Sequence, residues 1–499
     1  MITTKRKPDH ILLNTLCGAA LFLSFLCFFS GRFYVATFGR LGFDSVLYTL
    51  SAGLGGVQSG QITRWLLLGF LPAVLLSVLT FALLFRRKKE GKYQTGRTPK
   101  ALARWCALLL SLGLAVFAAF DVELVEYLLH QSADTDLYEK YYKDPDEVRI
   151  TFPDKKRNLI YIILESMETS YLSKDLGGAM EENLIPELYD LAEQNLCFSN
   201  SNDKVGGFYT TKGATWTIGS MVAQTAGIPL KTPTEDVNQY GASGEAFLPG
   251  VTTLTDLLHD AGYTQALMVG SDVRFGGRKV YYEQHGMDAI FDIYTARKDG
   301  IIPANYFVWW GMEDLHLFRY AKEKLTELAD GSEPFSFTML TVDTHHVGGY
   351  QCELCKDSKS GESYDQSISC SSRQVAEFIE WIQQQPFYEN TTVVIVGDHE
   401  SMDNGYFARM APNDYQRLLY NCFINTPATA KQTTNRHFAA VDLFPTTLAA
   451  IGCTIEGDRL GLGTNLFSGV KTLTELHGFD RFNNELAKAS TYYEEHFWE

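Results

Sequence analysis

The stretch TTVVIVGDHE, residues 391–400, decides how this sequence is interpreted. A short apolar run rich in Val and Ile is typical of a strand that is buried on both faces, as in a parallel sheet. The run ends abruptly in Gly397, Asp398, His399 and Glu400. Gly-Asp is also ordinary turn chemistry, so the stretch alone leaves two interpretations open: a simple strand end, or a site built at a strand end.

Other strand-like runs after residue 157 also end in polar side chains. The runs are NLIYIILES, TQALMVGSD and FSFTMLTVDTHH. Their polar ends are Glu165 and Ser166, Ser271 and Asp272, and Asp343, His345 and His346. Stretches of helical periodicity separate the runs, which predicts an α/β domain with a mostly parallel sheet. Ligands of such sheets bind beyond the carboxyl ends of the strands, so we expect these ends to converge on one crevice.

Asp398 and His399 are therefore expected to bind a metal ion. Carboxylate oxygens and imidazole nitrogens suit Mn²⁺, Mg²⁺ or Zn²⁺. Gly397 is expected to give the backbone the freedom to turn both side chains toward one ion.

A glycine- and threonine-rich loop, GGFYTTKGATWTIGSMVAQTAGIPL from Gly206, supplies candidate nucleophiles as it enters a predicted helix. A hydroxyl at a helix N-terminus lies among free N–H groups that suit a phosphate oxygen, and a nearby metal ion would activate it for attack. The candidates are Thr211, Thr215, Thr217 and Ser220, and each could equally be a simple helix cap. Helical spacing places Thr217 at the first turn, and Ser220 further in, where we expect its hydroxyl to bond a backbone carbonyl.

Three apolar runs within the first 120 residues are about long enough to cross a bilayer. They cover residues 11–30, 65–85 and 105–120, the last extended by 101–103, and no comparable run follows. Basic residues in the head and between the second and third runs predict that both segments are cytoplasmic, which places the chain after Phe120 outside the cytoplasm. Apart from residues at their ends the runs lack ionisable groups, which argues against a transporter.

The net charge of −16 argues against a nucleic-acid partner and is compatible with a site that needs a cation. Among the cysteines outside the apolar runs, Cys352 and Cys355 of CELC are followed by Cys370. Zinc is one interpretation, but no fourth ligand has a usual spacing, so we expect one disulfide among these three or none. The patterns divide the chain into a membrane region (1–120), a polar stalk (121–157), a catalytic domain (158–470) and a helical tail (471–499).

The motifs NLIYIILES, GATWTIGSM, FGGRKVYYEQHG, TVDTHH and VVIVGDHE resemble, in this order, those of the lipoteichoic acid synthase and phosphoglycerol transferase family. That family belongs to the alkaline phosphatase and sulfatase superfamily, and the resemblance covers residues 158–467. The stretch GATWTIGSMVAQTAGIPL looks closest to the phosphoglycerol transferases that modify periplasmic glucans. The resemblance implies a multi-pass cell-membrane protein whose sulfatase-like α/β domain lies outside the cytoplasm.

The resemblance also implies site residues. The family's metal-binding Glu and Asp-His pair fall on Glu165, Asp398 and His399, and its nucleophilic Thr, which also contacts the metal, falls on Thr217. The family's substrate-phosphate residues fall on Arg278 and His345. The implied cofactor is one divalent cation, with Mn²⁺ expected first and Mg²⁺ or Zn²⁺ as alternatives.

The implied reaction is a two-step transfer of glycerophosphate from phosphatidylglycerol. Thr217 displaces diacylglycerol, and an acceptor hydroxyl on a cell-envelope glycan, lipoteichoic acid or glycolipid then displaces Thr217. This sequence departs from lipoteichoic acid synthases in having three spans rather than five, in TIGSM after the nucleophile and in the CELC insert, all of which leave the acceptor open.

Other activities of the same superfamily remain as alternatives. A phosphoethanolamine transferase would use the same groups on another donor, and a phosphodiesterase would use water. A sulfatase-like hydrolase would need Cys or Ser in a C/S-x-P-x-R setting, which does not occur near the candidate nucleophile. A catalytically dead binding domain would not need intact ligands at Glu165, Thr217, Asp398 and His399.

Overall fold

The computed structural model describes residues 9–40, 42–51, 59–85, 100–231, 246–357, 362–412 and 415–498. These residues form two compact units. The described residues up to Val46 and from Ser59 to Leu129 form the first unit, and Leu47–Ser51 together with the described residues from His130 onward form the second.

The first unit contains three helices that are each long and apolar enough to cross a bilayer. These segments are Leu12–Phe38, Gly60–Phe85 and Ala101–Asp121, and the second of them includes a π-helical turn. They pack together through small and apolar side chains such as Leu21, Ala73 and Ala107. Many of their leucines point outward and are exposed, as expected of helices that face lipid. The three predicted apolar runs are thus confirmed as helices of membrane-spanning length.

The α-helices of the described residues are α1 Asp9–Phe38, α2 Phe43–Ser51, α3 Ser59–Trp65, α4 Leu71–Phe85, α5 Lys100–Asp121, α6 Leu124–Gln131, α7 Leu137–Tyr141, α8 Pro186–Gln194, α9 Thr217–Ala226, α10 Leu254–Asp260, α11 Arg278–Gln284, α12 Ile293–Lys298, α13 Asp314–Ala329, α14 Ser363–Gln383, α15 Asn404–Met410, α16 Leu443–Ala450, α17 Leu473–His477, α18 Phe479–Ala487 and α19 Thr491–Phe497. The strands are β1 Ile150–Thr151, β2 Asn158–Leu164, β3 Thr264–Val269, β4 Ala289–Phe291, β5 Phe335–Leu340, β6 Thr391–Gly397, β7 Asn421–Ile424, β8 Thr454–Ile455, β9 Arg459–Leu460 and β10 Gly463–Thr464.

A six-stranded sheet with the order β4-β3-β5-β2-β6-β7 forms the centre of the second unit. All neighbouring strands are parallel except β6 and β7, which are antiparallel. Every residue of β5 and β6 is buried, which explains why the sequence of β6 is continuously apolar rather than alternating. The predicted α/β fold with a mostly parallel sheet is confirmed.

The core lies on both faces of this sheet. Because successive strand residues point to opposite faces, Leu159, Tyr161 and Ile163 of β2 pack into one apolar cluster. Ile160, Ile162 and Leu164 pack into the other. Helices α9 and α16 cover the first face, and α8, α13 and α14 cover the second.

The region predicted as a stalk contains side chains that are buried in the second unit. Leu137 and Tyr138 of α7 are almost inaccessible to solvent, and the Tyr138 ring packs edge-on against Tyr493 and Phe497 of α19. Strand β1 pairs with β8. The boundaries of the four predicted segments remain a prediction.

The register of the sheet brings the carboxyl ends of four strands to one level. Leu164 at the end of β2 lies opposite Gly397 of β6. Leu340 at the end of β5 lies opposite Ile163 of β2 on one side and Val269 of β3 on the other. The polar residues that follow these strands therefore emerge along one edge of the sheet.

Candidate active site

Glu165, Asp398 and His399 meet at this edge, immediately after β2 and β6. Each offers one ligand atom, and these atoms lie within 4.8 Å of one another. The three residues are buried, with exposed fractions of 2%, 0% and 1%. His399 Nε2 lies 3.6 Å from Glu165 Oε1 and 3.3 Å from Asp398 Oδ2. Three of the four predicted metal ligands thus come from adjacent strand ends.

The backbone orients these three side chains. The N–H groups of Ser166 and His399 both donate to Asp398 Oδ1 at 2.7 Å. Ser166 has a φ of 51°, an uncommon backbone conformation that turns the chain sharply after β2. Asp398 Oδ2 is buried and accepts no hydrogen bond from any residue that the structure describes.

The tautomer of His399 follows from its partner. Its Nδ1 lies 2.9 Å from the carbonyl oxygen of Glu400, which can only accept, so Nδ1 carries the hydrogen. In the neutral ring Nε2 then presents a lone pair to the two carboxylates, a place that either a proton or a metal cation can occupy. A hydrogen bond on the far nitrogen is typical of a metal-ligating histidine.

The pKa shifts of Asp398 and His399 also indicate a place for a cation. Burial, reinforced by the charge of Glu165, raises the pKa of Asp398 to about 7. Burial lowers the pKa of His399, but the carboxylates of Asp398 and Glu165 outweigh it, so the pKa is raised overall. Both pKa values are raised because two carboxylates lie close together in a buried space, where a cation would neutralise their charge. Two carboxylates with one imidazole are a donor set that fits a divalent cation.

Thr217 is the first residue of α9, and its Oγ1 lies 3.4 Å from His399 Nε2. The residue that caps this helix is Trp216, so the Thr217 hydroxyl is not the cap. Ser220 lies one turn further in and donates to the carbonyl oxygen of Asp398, as predicted. Thr211 and Thr215 both lie in the loop before the helix. Among the four candidate hydroxyls, Thr217 is the one that contacts a side chain of the cluster in the described contacts.

A cavity beside the cluster is lined by Glu165, Thr217, Arg278, His345 and Trp310. The Arg278 side chain is 5% exposed at the start of α11. Its Nε donates to the carbonyl of Phe275 at 3.0 Å, and its Nη2 donates to Ser271 Oγ at 3.0 Å. These contacts fix a positive charge in the cavity wall. An anion that entered the cavity would meet it without any reorganisation of the side chain.

His345 is held by its neighbours. Its Nδ1 lies 2.7 Å from the carbonyl oxygen of His346, and its ring lies 4.5 Å from the ring of Trp310. Burial lowers the pKa of His345 to about 4, so the imidazole is neutral near pH 7. With the hydrogen on Nδ1, Nε2 accepts a hydrogen bond rather than donating one.

Two of the predicted strand-end carboxylates do not join the cluster in the described residues. Asp272 pairs with Arg274 at 2.6 Å nearer the surface. Asp343 is buried, and neither of its carboxylate oxygens has a hydrogen-bond partner among the residues that the structure describes. Burial together with the charge of Asp314 raises its pKa well above the usual range. The expectation that all the polar strand ends converge therefore holds for Glu165, Asp398 and His399, while Ser271 and His345 line the adjoining cavity.

Glycine at position 397 has a different role from the one expected. Gly397 is not among the residues with positive φ. A Cβ there would lie 2.2 Å from the carbonyl oxygen of Met167. Close approach of another backbone segment, rather than conformational freedom, requires glycine before Asp398.

The sequence did not point to a buried ion pair that holds the loop after His399. Arg417 Nε donates to Glu168 Oε2 at 2.8 Å, and Arg417 Nη2 donates to the carbonyl of Ser401 at 2.8 Å. The Ser401 N–H in turn donates to Glu168 Oε1 at 2.8 Å. Neither charged residue follows a strand directly, so no pattern in the sequence marks this pair. Trp310 in the cavity wall was also not identified from the sequence, because Trp310 does not follow a strand directly.

Comparison with known proteins assigns the chain to a family. A family model described as sulfatase matches residues 157–453. The chain belongs to the sulfatase family. The superfamily that the motifs resemble is thereby confirmed, and the family assignment accounts for the α/β fold of the second unit.

Relatives of this sulfatase-family chain include phosphoglycerol transferase I of Escherichia coli (strain 55989 / EAEC), 31% identical over 436 residues, which are 85% of this chain and 53% of the relative. Phosphoglycerol transferase I of Salmonella choleraesuis (strain SC-B67) is 31% identical over 443 residues, 87% of this chain and 54% of the relative. The chain thus spans about half the length of these curated relatives.

Two solved structures share the fold. A protein in the alkaline phosphatase superfamily from Vibrio parahaemolyticus has a TM-score of 0.50 and 20% identity, with 67% of this chain and 76% of that chain covered. The integral membrane protein lipooligosaccharide phosphoethanolamine transferase A from Neisseria meningitidis has a TM-score of 0.51 and 14% identity, with 89% and 86% covered. At these identities the likeness concerns the fold alone.

Proposed function

We propose that this protein is a membrane-anchored phosphoglycerol transferase that moves glycerophosphate from phosphatidylglycerol to a hydroxyl of a cell-envelope glycan or glycolipid. The observation that carries the proposal is the Thr217 hydroxyl, which lies at the first turn of α9, 3.4 Å from His399 Nε2. It borders both the buried acidic cluster and the cavity that holds Arg278. The relatives named phosphoglycerol transferase I support this choice of head group.

The cluster of Glu165, Asp398 and His399, with Thr217 beside it, is proposed to hold one divalent cation, Mn²⁺ first and Mg²⁺ or Zn²⁺ as alternatives. When bound, the ion would screen phosphate charge and lower the pKa of the Thr217 hydroxyl. The buried and unpartnered Asp398 Oδ2 supports this assignment.

In the first proposed step, Thr217 Oγ1 attacks the phosphorus of phosphatidylglycerol. A bond forms between Oγ1 and phosphorus, the bond between phosphorus and the diacylglycerol oxygen breaks, and diacylglycerol leaves with a proton. In the second step the oxygen of an acceptor hydroxyl attacks the glycerophospho-threonine. Thr217 then regains its proton, and the glycerophosphate is left on the acceptor.

Arg278 and His345 are proposed to bind the substrate during both steps. The fixed guanidinium of Arg278 would interact with phosphate oxygens. The resemblance implies that His345 binds the substrate phosphate. Because the neutral ring has an accepting Nε2, we propose instead that it receives a hydrogen bond from a substrate hydroxyl. Stabilisation of charge at preorganised groups would supply most of the rate enhancement, as in phosphoryl transfer generally.

The three apolar helices would keep the enzyme at its lipid donor. We propose that they cross the cell membrane and that residues 121–499 lie outside the cytoplasm. The distribution of basic residues around the first two runs supports this orientation.

The test uses the full chain in vesicles of labelled phosphatidylglycerol with Mn²⁺. We expect release of diacylglycerol, and mass spectrometry of digested protein should find glycerophosphate on Thr217. Thr217→Ala should abolish turnover and leave the fold intact, because even a lost helix cap costs only about 1 kcal/mol and the Thr217 hydroxyl does not cap α9. Thr215→Ala, two residues earlier in the loop, is the matched control and should retain activity.

Two results would contradict parts of this proposal. Wild-type turnover in Thr217→Ala would remove the nucleophile assignment. Vesicles of phosphatidylethanolamine serve as the second donor. An adduct that forms only with these vesicles would make the protein a phosphoethanolamine transferase instead.

A further inference from the structure

A second cluster of metal-ligating side chains lies in the second unit, and the proposed reaction does not use it. Cys352 and Cys355 lie on or beside the 3₁₀-helical turn Glu353–Asp357, and Cys370 lies on α14. Their Sγ atoms all lie within 4.8 Å of one another. The three side chains are buried, with exposed fractions of 4%, 3% and 1%, and none of them is in a disulfide.

The sulfur positions match those of ligands around one ion. Cys352 Sγ lies 3.7 Å from Cys355 Sγ and 3.8 Å from Cys370 Sγ. Two thiolates in a tetrahedral zinc site, each with a Zn–S bond of about 2.3 Å, are separated by about 3.8 Å. Thiols in simple van der Waals contact reach similar distances, so the groups around the sulfurs decide between the two situations.

Most of those groups are hydrogen-bond donors; the exception is the Tyr350 carbonyl oxygen, which lies 4.0 Å from Cys355 Sγ. Gln374 Nε2 lies 3.8 Å from Cys352 Sγ and 3.4 Å from Cys370 Sγ. Arg373 Nη2 lies 3.6 Å from Cys370 Sγ and is held at 2.7 Å by the carbonyl of Leu354. A thiol is a weak acceptor, whereas a thiolate is a strong one, and metal-bound ligands are commonly supported by such outer contacts.

Charge balance agrees with the same interpretation. Three thiolates leave a net charge of −1 around Zn²⁺, which the guanidinium of Arg373 offsets, and −2 around Cu⁺, of which it offsets half. Without a cation, three adjacent buried sulfurs would not ionise. The donors that surround them would then face poor acceptors.

We propose that Cys352, Cys355 and Cys370 bind one soft, closed-shell metal ion, Zn²⁺ or Cu⁺, as thiolates. Thiolate ligands select these ions, and binding releases the three thiol protons. No fourth His, Cys, Asp or Glu within the described ranges joins the three sulfurs at this distance. A bound Zn²⁺ would therefore complete its coordination with water or a backbone oxygen, whereas Cu⁺ is satisfied by three sulfurs.

The ion would tie the loop that follows β5 to α14. This loop carries His345 near its start and Cys352 and Cys355 near its end. Between them, the Tyr350 N–H donates to the Asp343 carbonyl at 2.7 Å, and Ser367 Oγ of α14 donates to the Tyr350 carbonyl at 2.9 Å. Metal binding at Cys352 and Cys355 would therefore restrain the end of a loop whose first residues, including His345, line the cavity.

The first test measures metal content. The full chain is purified in detergent without reductant from cells supplied with Zn²⁺ and copper, and both metals are counted per chain by mass spectrometry. The parent is Asp398→Ala, which weakens the other cluster. We expect one equivalent of Zn²⁺ or copper in the parent, its loss on adding Cys355→Ser, and its retention on adding Cys453→Ser, a buried cysteine outside the cluster. The metal that is counted distinguishes the two ions.

The second test does not depend on the folding of any variant. Wild-type protein is stripped with a chelator and loaded with Co²⁺, which should produce an intense thiolate-to-cobalt charge-transfer absorption that alkylation of the thiols prevents. Peptide mapping of the protein as purified, without reduction, should find all three cysteines reduced. A disulfide between any two of them, or equal metal content in Asp398→Ala with and without Cys355→Ser, would overturn the proposal.

Discussion

Two arginines in the second unit each make a bidentate contact with a glutamate, and the two pairs differ greatly in solvent exposure. Arg417 contacts Glu168 through Nε at 2.8 Å and through Nη2, and the two side chains are 19% and 0% exposed. Arg409 contacts Glu362 through Nε at 3.2 Å and through Nη2, and these side chains are 56% and 46% exposed. The pairs therefore separate the effect of burial from that of geometry.

Arg417→Met should destabilise the protein strongly. Removing one partner of a buried pair leaves an uncompensated charge and costs about 3–5 kcal/mol. The hydrogen bond to the Ser401 carbonyl is lost as well. Arg409→Met removes an exposed pair that is worth about 0–1 kcal/mol. In a unit of this size about 1 kcal/mol corresponds to at most about 2 °C in Tm. We therefore expect Arg417→Met to lower Tm by several degrees, up to about 6–10 °C, and Arg409→Met to lower it by less than about 2 °C.

A second variant and a change of pH test whether the unpaired carboxylate causes the loss of stability. Glu168→Gln combined with Arg417→Met removes the fully buried unpaired carboxylate and should recover part of the loss; Glu400, which Arg417 Nη1 contacts at 3.7 Å, still lacks its partner in the double variant. Lower pH should also reduce the deficit of Arg417→Met. Burial raises the pKa of Glu400 to about 7 although the charge of Arg417 lowers it. Without Arg417 that pKa rises further, so the folded state takes up a proton as the pH falls through it, and the unfolded state does so only at lower pH.

Thermal unfolding of the full chain in detergent, followed by tryptophan fluorescence, measures all four proteins. Equal shifts for Arg417→Met and Arg409→Met would show that burial does not decide the contribution of these pairs. A double variant no more stable than Arg417→Met would refute the assignment of the loss to an uncompensated charge.

Three further predictions concern the site and its anchor. Gly397→Ala should cost about 1–3 kcal/mol and disturb the site, because its Cβ would meet the Met167 carbonyl oxygen at 2.2 Å; Gly405→Ala, whose Cβ would have its nearest neighbour at 3.6 Å, should be nearly neutral in the same unfolding assay. Asp398→Ala should lower metal affinity or activity tens- to hundreds-fold in a Mn²⁺ titration of the transferase assay, and full activity would refute the metal assignment. A reporter fused after Glu499 that works only in the cytoplasm should remain inactive, and an active one would reverse the proposed orientation.

The sequence alone predicted the features that depend on local periodicity. Continuous apolar runs such as β6 identified buried strands, and the polar residues directly after them identified Glu165, Asp398 and His399. This inference succeeded because the direction of a strand determines where its last residue lies, and parallel strands bring their ends to one edge. That three segments are long enough to cross a bilayer was predicted for a similar reason, since apolar length can be counted along the chain; the first two helical segments extend beyond the predicted runs, to Phe38 and from Gly60.

Tertiary structure decided what depends on distances between segments that are far apart in sequence. Spacing left four hydroxyls as candidates, and only the position of α9 against the end of β6 brings Thr217 to His399. The close approach of Met167 to Gly397 belongs to this class of feature, as does the Glu168–Arg417 pair, whose members lie 249 positions apart. The three sulfurs of Cys352, Cys355 and Cys370 were visible as a spacing, but their common centre appears only when α14 packs beside the loop. Periodicity reports which face or end of an element a residue occupies, whereas the packing of one element on another determines which side chains touch.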